Sequence, residues 1–205
     1  MQTYSLDGWR CMMKAIKNAG WYGLGLVSLL TIQGLHAEEI ATVPEQGKAL
    51  IQSFAADLKT ELQKAIKAGG LKNGIAVCSE KAPAIAQKYS NNQWQIKRTS
   101  LKVRNPANTP TEFEHGMLLQ FELKKSEGLP INKLSYYGVE KTETGKTHRL
   151  MKAIPTQALC LGCHGDNLSE DVKAELKLRY PQDQAIGFKE GDIRGAFSLT
   201  YSESF

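Results

Sequence analysis

The five residues Cys160-Leu161-Gly162-Cys163-His164 constrain this chain more than any other stretch. Two thiols three positions apart, followed at once by an imidazole, form the C-x-x-C-H pattern that attaches a c-type haem. Each sulfur adds across one porphyrin vinyl group, and the adjacent imidazole then reaches the iron as a neutral nitrogen ligand. The cofactor so held is permanent, with Cys160 and Cys163 as its covalent anchors and His164 as its proximal ligand. Four Cys and four His in 205 residues make chance a poor source of the pattern, which should arise roughly 0.0015 times per chain.

Other readings of the motif fit less well. A structural zinc ion wants a closed set of four ligands, and no second Cys/His pair exists here. A thioredoxin-like redox pair wants its first cysteine at a helix N-terminus after a strand. Here Pro155-Thr156-Gln157-Ala158-Leu159 before the motif and Gly165-Asp166-Asn167 after it read as a short helical turn entering a loop. A plain disulfide is the remaining option.

The N-terminus carries an export address. Arg10, Lys14 and Lys17 precede the apolar run Trp21 to Ile32, which closes at Gly34-Leu35-His36-Ala37 before Glu38-Glu39. That is the layout of a cleaved secretory signal over residues 1–37. The run is short for a bilayer span, which needs about 20 residues, so an uncleaved anchor is the lesser alternative. Export to the periplasm and haem attachment support one another. Removal of the leader takes Cys11 and His36 with it and leaves Cys78 as the odd cysteine. The net charge of +5 falls to +3, too mild to argue for nucleic acid.

The remaining residues, 38–205, read as one domain of mixed type. Leu50, Phe54, Leu58, Leu62 and Ile66 predict a helix over 45–68, ended by Gly69-Gly70. Leu71, Ile75, Cys78, Ala82, Ile85 and Tyr89 predict a second, with Cys78 on its buried face and a kink expected at Pro83. Gln93 to Arg104 turns β-like, with a change of parity that predicts a bulge or two short strands. Thr109-Pro110-Thr111-Glu112 predicts a capped helix to about Lys125. Strands are expected over 133–141 and 147–154, around a turn at Thr144-Gly145. Ser169 then begins a short helix bearing Val172, Leu176 and Leu178. The last strand alternates Ile193, Phe197, Leu199 and Tyr201 against Arg194, Ser198 and Thr200. The sheet is expected to be antiparallel with one face covered.

Taken together, Ala76-Val77-Cys78, Ala82-Pro83-Ala84-Ile85-Ala86, the run Arg98 to Pro110, the C-x-x-C-H motif and Gly187 to Gly195 resemble the single-haem, PAS-like c-type sensor domains. Those occur as stand-alone exported proteins and as extracytoplasmic parts of histidine kinases and chemoreceptors. The resemblance covers residues 45–203. It implies an α+β fold in which a PAS-like antiparallel sheet is flanked by helices and holds a covalently attached haem. It also implies an axial pair of His164 and Cys78. The residues alone leave Cys78 open between an inert core thiol and a ligand. As a thiolate it would favour ferric iron and lower the potential, and its release on reduction would open a coordination position. His115, His148, Met117 and Met151 are alternative sixth ligands. Arg98 and Arg104 are candidates for the haem propionates, since guanidinium forks suit carboxylates, or for structural pairing with Glu112 or Glu114.

Three functions compete. The first is a sensor-like module responding to redox state or a diatomic gas, the second a periplasmic electron carrier, and the third a peroxidase-like enzyme. A peroxidase needs a distal acid-base group, for which only His115 or His148 would serve, so a non-enzymatic role is expected. The sequence shows no transmembrane span after the leader and no kinase segment. Signalling is therefore expected to pass through a separate periplasmic protein, and electron transfer through a redox partner.

Overall fold

A computed structural model describes residues 41–205; the leader expected over 1–37 lies outside them. Helix α1 (Val43–Lys88) starts at Thr42, where the Glu45 carboxylate accepts from the Thr42 N–H at 2.8 Å and closes a capping box. Its regularity fails at Gly69 (φ −155°, ψ 25°) and Gly70 (φ 72°, ψ −169°). The second of these conformations is open essentially to glycine alone. The chain there doubles back, and α1 becomes a hairpin of two helical arms. An added Cβ at Gly74 would lie 2.9 Å from Ile66 Cγ1, so the arms approach closely at that point. Lys81–Glu61 at 2.8 Å and Lys88–Asp57 at 2.7 Å also bridge them. Asn73 Nδ2 donates to the Ala65 carbonyl at 2.8 Å, satisfying an acceptor that the break leaves free. No non-helical torsion accompanies Pro83. The helix continues unbroken through the position where a kink was expected; Pro83 is exposed, so water can serve the carbonyl that its ring cannot.

Four strands, β1 (Trp94–Thr99), β2 (Ser135–Thr142), β3 (Gly145–Pro155) and β4 (Ile193–Ser204), form one sheet of order β1-β4-β3-β2. All its pairings are antiparallel. The architecture is α+β, as expected. The parity change after Thr99 marks the end of β1, with neither a bulge nor a second strand. The sheet is also covered on both faces where one covered face was expected. On one face Phe54 of α1 packs with Trp94, Ile96, Leu150 and Leu199. On the other, Met117, Leu118 and Phe121 of α2 (Glu112–Ser126) pack with Met151, Ala153 and Ala196. Ala196 and Ser198, short residues on the α2 side of β4, let that layer come close.

The cap of α2 sits two residues later than the sequence suggested. Thr111 is the N-cap and Glu114 closes the box, with Thr111 N–H donating to Glu114 Oε2 at 2.9 Å. Helix α3 (Ala158–His164) carries the C-x-x-C-H motif, and α4 (Glu170–Arg179) lies against the second arm of α1. There Val172 and Leu176 join Ile75, whereas Leu178 is 76% exposed and not part of the apolar face. Arg179 Nη1 ties α4 to the same arm, 2.7 Å from Glu80 Oε1 and 3.1 Å from Ser79 Oγ. Among the described residues no helix is long and apolar enough to cross a membrane.

Candidate functional site

The site lies where the second arm of α1, helix α3, the start of α4 and the loop 181–192 converge. Helix α3 is placed by a close approach: a Cβ added at Gly162 would stand 3.0 Å from Leu71 Cδ1. Leu71 precedes Cys78 by seven residues, or about two helical turns, so both lie on one stripe of the arm. Cys78, Cys160 and Cys163 are all free thiols. Burial pushes the Cys78 thiol up, while Arg98 and then Arg104 oppose that rise. Cys163 is likewise raised by burial and opposed by Arg104, with Cys78 adding to the rise. The two sulfurs are thus electrostatic neighbours, and Cys163 packs in the same cluster as Ile75.

His164 is oriented by the loop that follows. Its Nδ1 lies 2.7 Å from the Ala185 carbonyl, which can only accept, so Nδ1 carries the proton and the lone pair falls on Nε2. Burial, and then the positive charges of Arg194 and Arg104, drive the imidazole down to about 2. It is neutral across the physiological range. Phe188 stands at 87° to it with ring centroids 6.2 Å apart. Phe188 N–H also donates to the His164 carbonyl at 2.9 Å, and Gly187 N–H to that of Gly165 at 3.0 Å. A neutral imidazole with a fixed tautomer and a steering hydrogen bond is the usual state of a metal-ligating histidine.

Arg98 and Arg104 differ in their surroundings. Arg98 continues the Trp94 and Ile96 row of β1, and side chains two apart share a face, so it points toward α1. Loss of water lowers its basicity and the Cys78 side raises it. Arg104 is held by protein atoms: Asp183 Oδ2 at 2.9 Å, the Cys163 carbonyl at 2.6 Å and the Ala185 carbonyl at 3.1 Å. It clamps the loop carrying the His164 acceptor onto α3. Neither arginine pairs with Glu112 or Glu114; Glu114 instead meets Lys97 at 3.0 Å.

The alternative ligands stand elsewhere. His115 is exposed. Met117 and Met151 belong to the α2 face of the sheet. His148 is engaged at both ring nitrogens, with the Tyr137 hydroxyl at 2.9 Å and Glu203 Oε2 at 3.2 Å.

Sequence reasoning passed over Arg194. Pro155 pairs with Ile193 and Ile154 with Gly195, so Arg194 is an extra residue in β4. Such a bulge re-aims its side chain. Gly195 is required beside it, with φ 151° and a position where a Cβ would fall 2.2 Å from the Thr99 carbonyl oxygen. Burial, and then Arg104 and Arg98, depress Arg194 to about 10. The sequence signal was available: a proline on one strand and a glycine inside another both point to bulges.

The family model described as Tll0287-like (Tll0287) matches residues 36–202, most of the chain. The chain belongs to the Tll0287-like family. Among solved structures, this Tll0287-like chain is similar to the crystal structure of the cyanobacterial heme-protein Tll0287. Identity is 27% and the TM-score 0.53, over 80% of this chain and 98% of that one. No curated protein matches it.

Proposed function

We propose that this protein is an exported monohaem c-type protein and a redox- or gas-responsive module of the PAS-like kind. Cys160 and Cys163 hold the haem covalently, while His164 and Cys78 take its two axial positions. The observation that carries the reading is His164: its Nδ1 donates to the Ala185 carbonyl and its Nε2 is left free, one residue after a pair of unpaired cysteines. The donor set fits the cofactor in other respects. A third thiol lies among the same cluster of arginines, and the buried Nε of Arg194 has no acceptor. The family's solved relative is a heme-protein.

Bound haem would supply a one-electron iron couple. The chain's own groups set how it behaves. The Ala185 carbonyl makes the imidazole a better donor, and Arg104 keeps that carbonyl in place. Cys78 sits in opposed influences: burial favours its proton, and Arg98 and Arg104 favour the thiolate. Burial is the larger influence and favours the thiol, so a sulfur that regains its proton is a releasable ligand, which suits sensing better than fixed-ligand electron transfer. One observation favours the carrier reading as a second choice: Leu159, next to Cys160, is 46% exposed, so the attachment turn lies near a surface where a redox partner can dock.

The test is an absorbance spectrum of the mature protein, made with haem-c maturation, in oxidised, reduced and CO-treated reduced forms. Haem that survives denaturing purification is expected, with CO binding on reduction. Its absence overturns the assignment, and a reduced form that refuses CO moves the carrier ahead. Cys78→Ala is expected to keep the covalent haem and change the oxidised spectrum. An unchanged spectrum removes Cys78 from the ligand set.

A further inference from the structure

Three guanidiniums, those of Arg98, Arg104 and Arg194, crowd the site closely enough to perturb His164 together. Only Arg104 has a carboxylate, Asp183, at 2.9 Å. Neither Arg98 nor Arg194 has an ion-pair partner among the described residues. Arg194 Nη1 donates to Ser100 Oγ at 3.0 Å and to the Lys102 carbonyl at 3.4 Å, and its Nε is buried without an acceptor. The cluster therefore holds two more positive than negative charges in a desolvated place. Buried charges left unpaired are costly, and proteins retain them where a counter-charge arrives with a ligand.

We propose that Arg194, supplied by the β4 bulge, and Arg98 bind the two carboxylates of the haem, and that Arg104 is a positioning residue for His164. This rests on the haem reading above. The match is one of charge and geometry. Two carboxylates answer two guanidiniums that lack an ion-pair partner, and the bulge at Arg194 is a specific device for turning a strand residue out of register. Arg104 spends Nε and Nη2 on Asp183 and two carbonyls, and its charge is already answered by Asp183. A free anion such as phosphate shares this chemistry and is the rival occupant.

The test uses the haem-loaded full protein and its midpoint potential from about pH 5 to about pH 9, a range that a carboxyl losing its guanidinium partner can enter. A positive charge beside the iron favours the reduced form. Arg194→Gln and Arg98→Gln are each expected to shift the ferric/ferrous ratio at fixed poise about tenfold toward ferric, ~59 mV for one electron. A pH-dependent segment should also appear, as reduction becomes coupled to proton uptake. Arg194→Lys should restore the charge and most of the potential, and it decides the matter if the glutamine variant does not fold. Ser100→Ala, which removes a partner of Arg194 but no charge, should leave the profile in place.

An Arg194→Gln profile that superimposes on the wild type, or the same shift in Ser100→Ala, overturns the assignment. So does a wild-type potential that moves with added phosphate, which identifies a free anion. A wild type that carries no haem defeats the earlier reading instead, and the two failures are distinct.

Discussion

Where the first arm of α1 meets the sheet, Phe54, Trp94, Ile96, Leu150 and Leu199 close an apolar layer. Where the second arm meets α3 and α4, Ile75 and Val172 give way to Cys78, Cys163, Tyr180 and a ring of arginines. The first region is complete in itself, since side chains supply every partner. The second has a buried donor without an acceptor, Arg194 Nε, and a histidine with a nitrogen to spare. A protein interior tolerates such surplus poorly, so the contrast marks where a ligand belongs and where the fold is merely held together.

Phe54→Ala should break the contrast most. Phe54 is 1% exposed, and truncating a buried phenylalanine costs about 3–5 kcal/mol. Urea unfolding should show that loss while the folded protein's haem spectrum stays as in the wild type. A changed spectrum would mean that the two regions are not independent. Gly70→Ala comes next, because a side chain at φ 72°, ψ −169° costs about 1–3 kcal/mol. The hinge sets the angle between the arms, so this variant should lower the unfolding midpoint and also alter the haem spectrum through the proposed ligand Cys78. An unaltered spectrum would show that the second arm is placed by α4 alone.

Glu114 supplies the smallest effect. Burial raises its carboxyl, but the Thr111 backbone, Ser198 and Lys97 outweigh that and hold it below 4.5. A carboxyl depressed by folding stabilises the native state above its unfolded value and loses that contribution as pH falls through the folded one. Glu114→Gln should cost about 1 kcal/mol near neutrality, in the range of a helix cap. Its penalty should shrink in acid, below about pH 4.5. A penalty that stays constant with pH would assign the effect to packing.

Much of this was legible in advance because it is local. The Gly69-Gly70 break follows from glycine's freedom and from apolar spacing on either side. The strands around Thr144-Gly145 follow from alternation, and the α2 cap was misplaced by only two residues because Thr109 and Thr111 offer the same chemistry. Leu178 was misjudged because it lies two positions after Leu176, about 200° round the helix, and so never shared the stripe of Val172 and Leu176. Arg194 was missed because a bulge is a property of two strands. Pro155 and Gly195 hinted at it separately, and only their pairing turns the side chain.

The sequence alone determined the cysteine pair, the imidazole beside it and the α+β succession of elements, since each depends on residues adjacent in the chain. Tertiary structure decided the rest of the site. It brought Cys78 near Cys163 across 85 positions of sequence, set the Ala185 carbonyl against His164, committed Arg104 to Asp183 and left Arg98 and Arg194 without counter-charges. Pairings of this kind join groups far apart in the chain, and their energies depend on burial and on which partner arrives first. No local pattern records either.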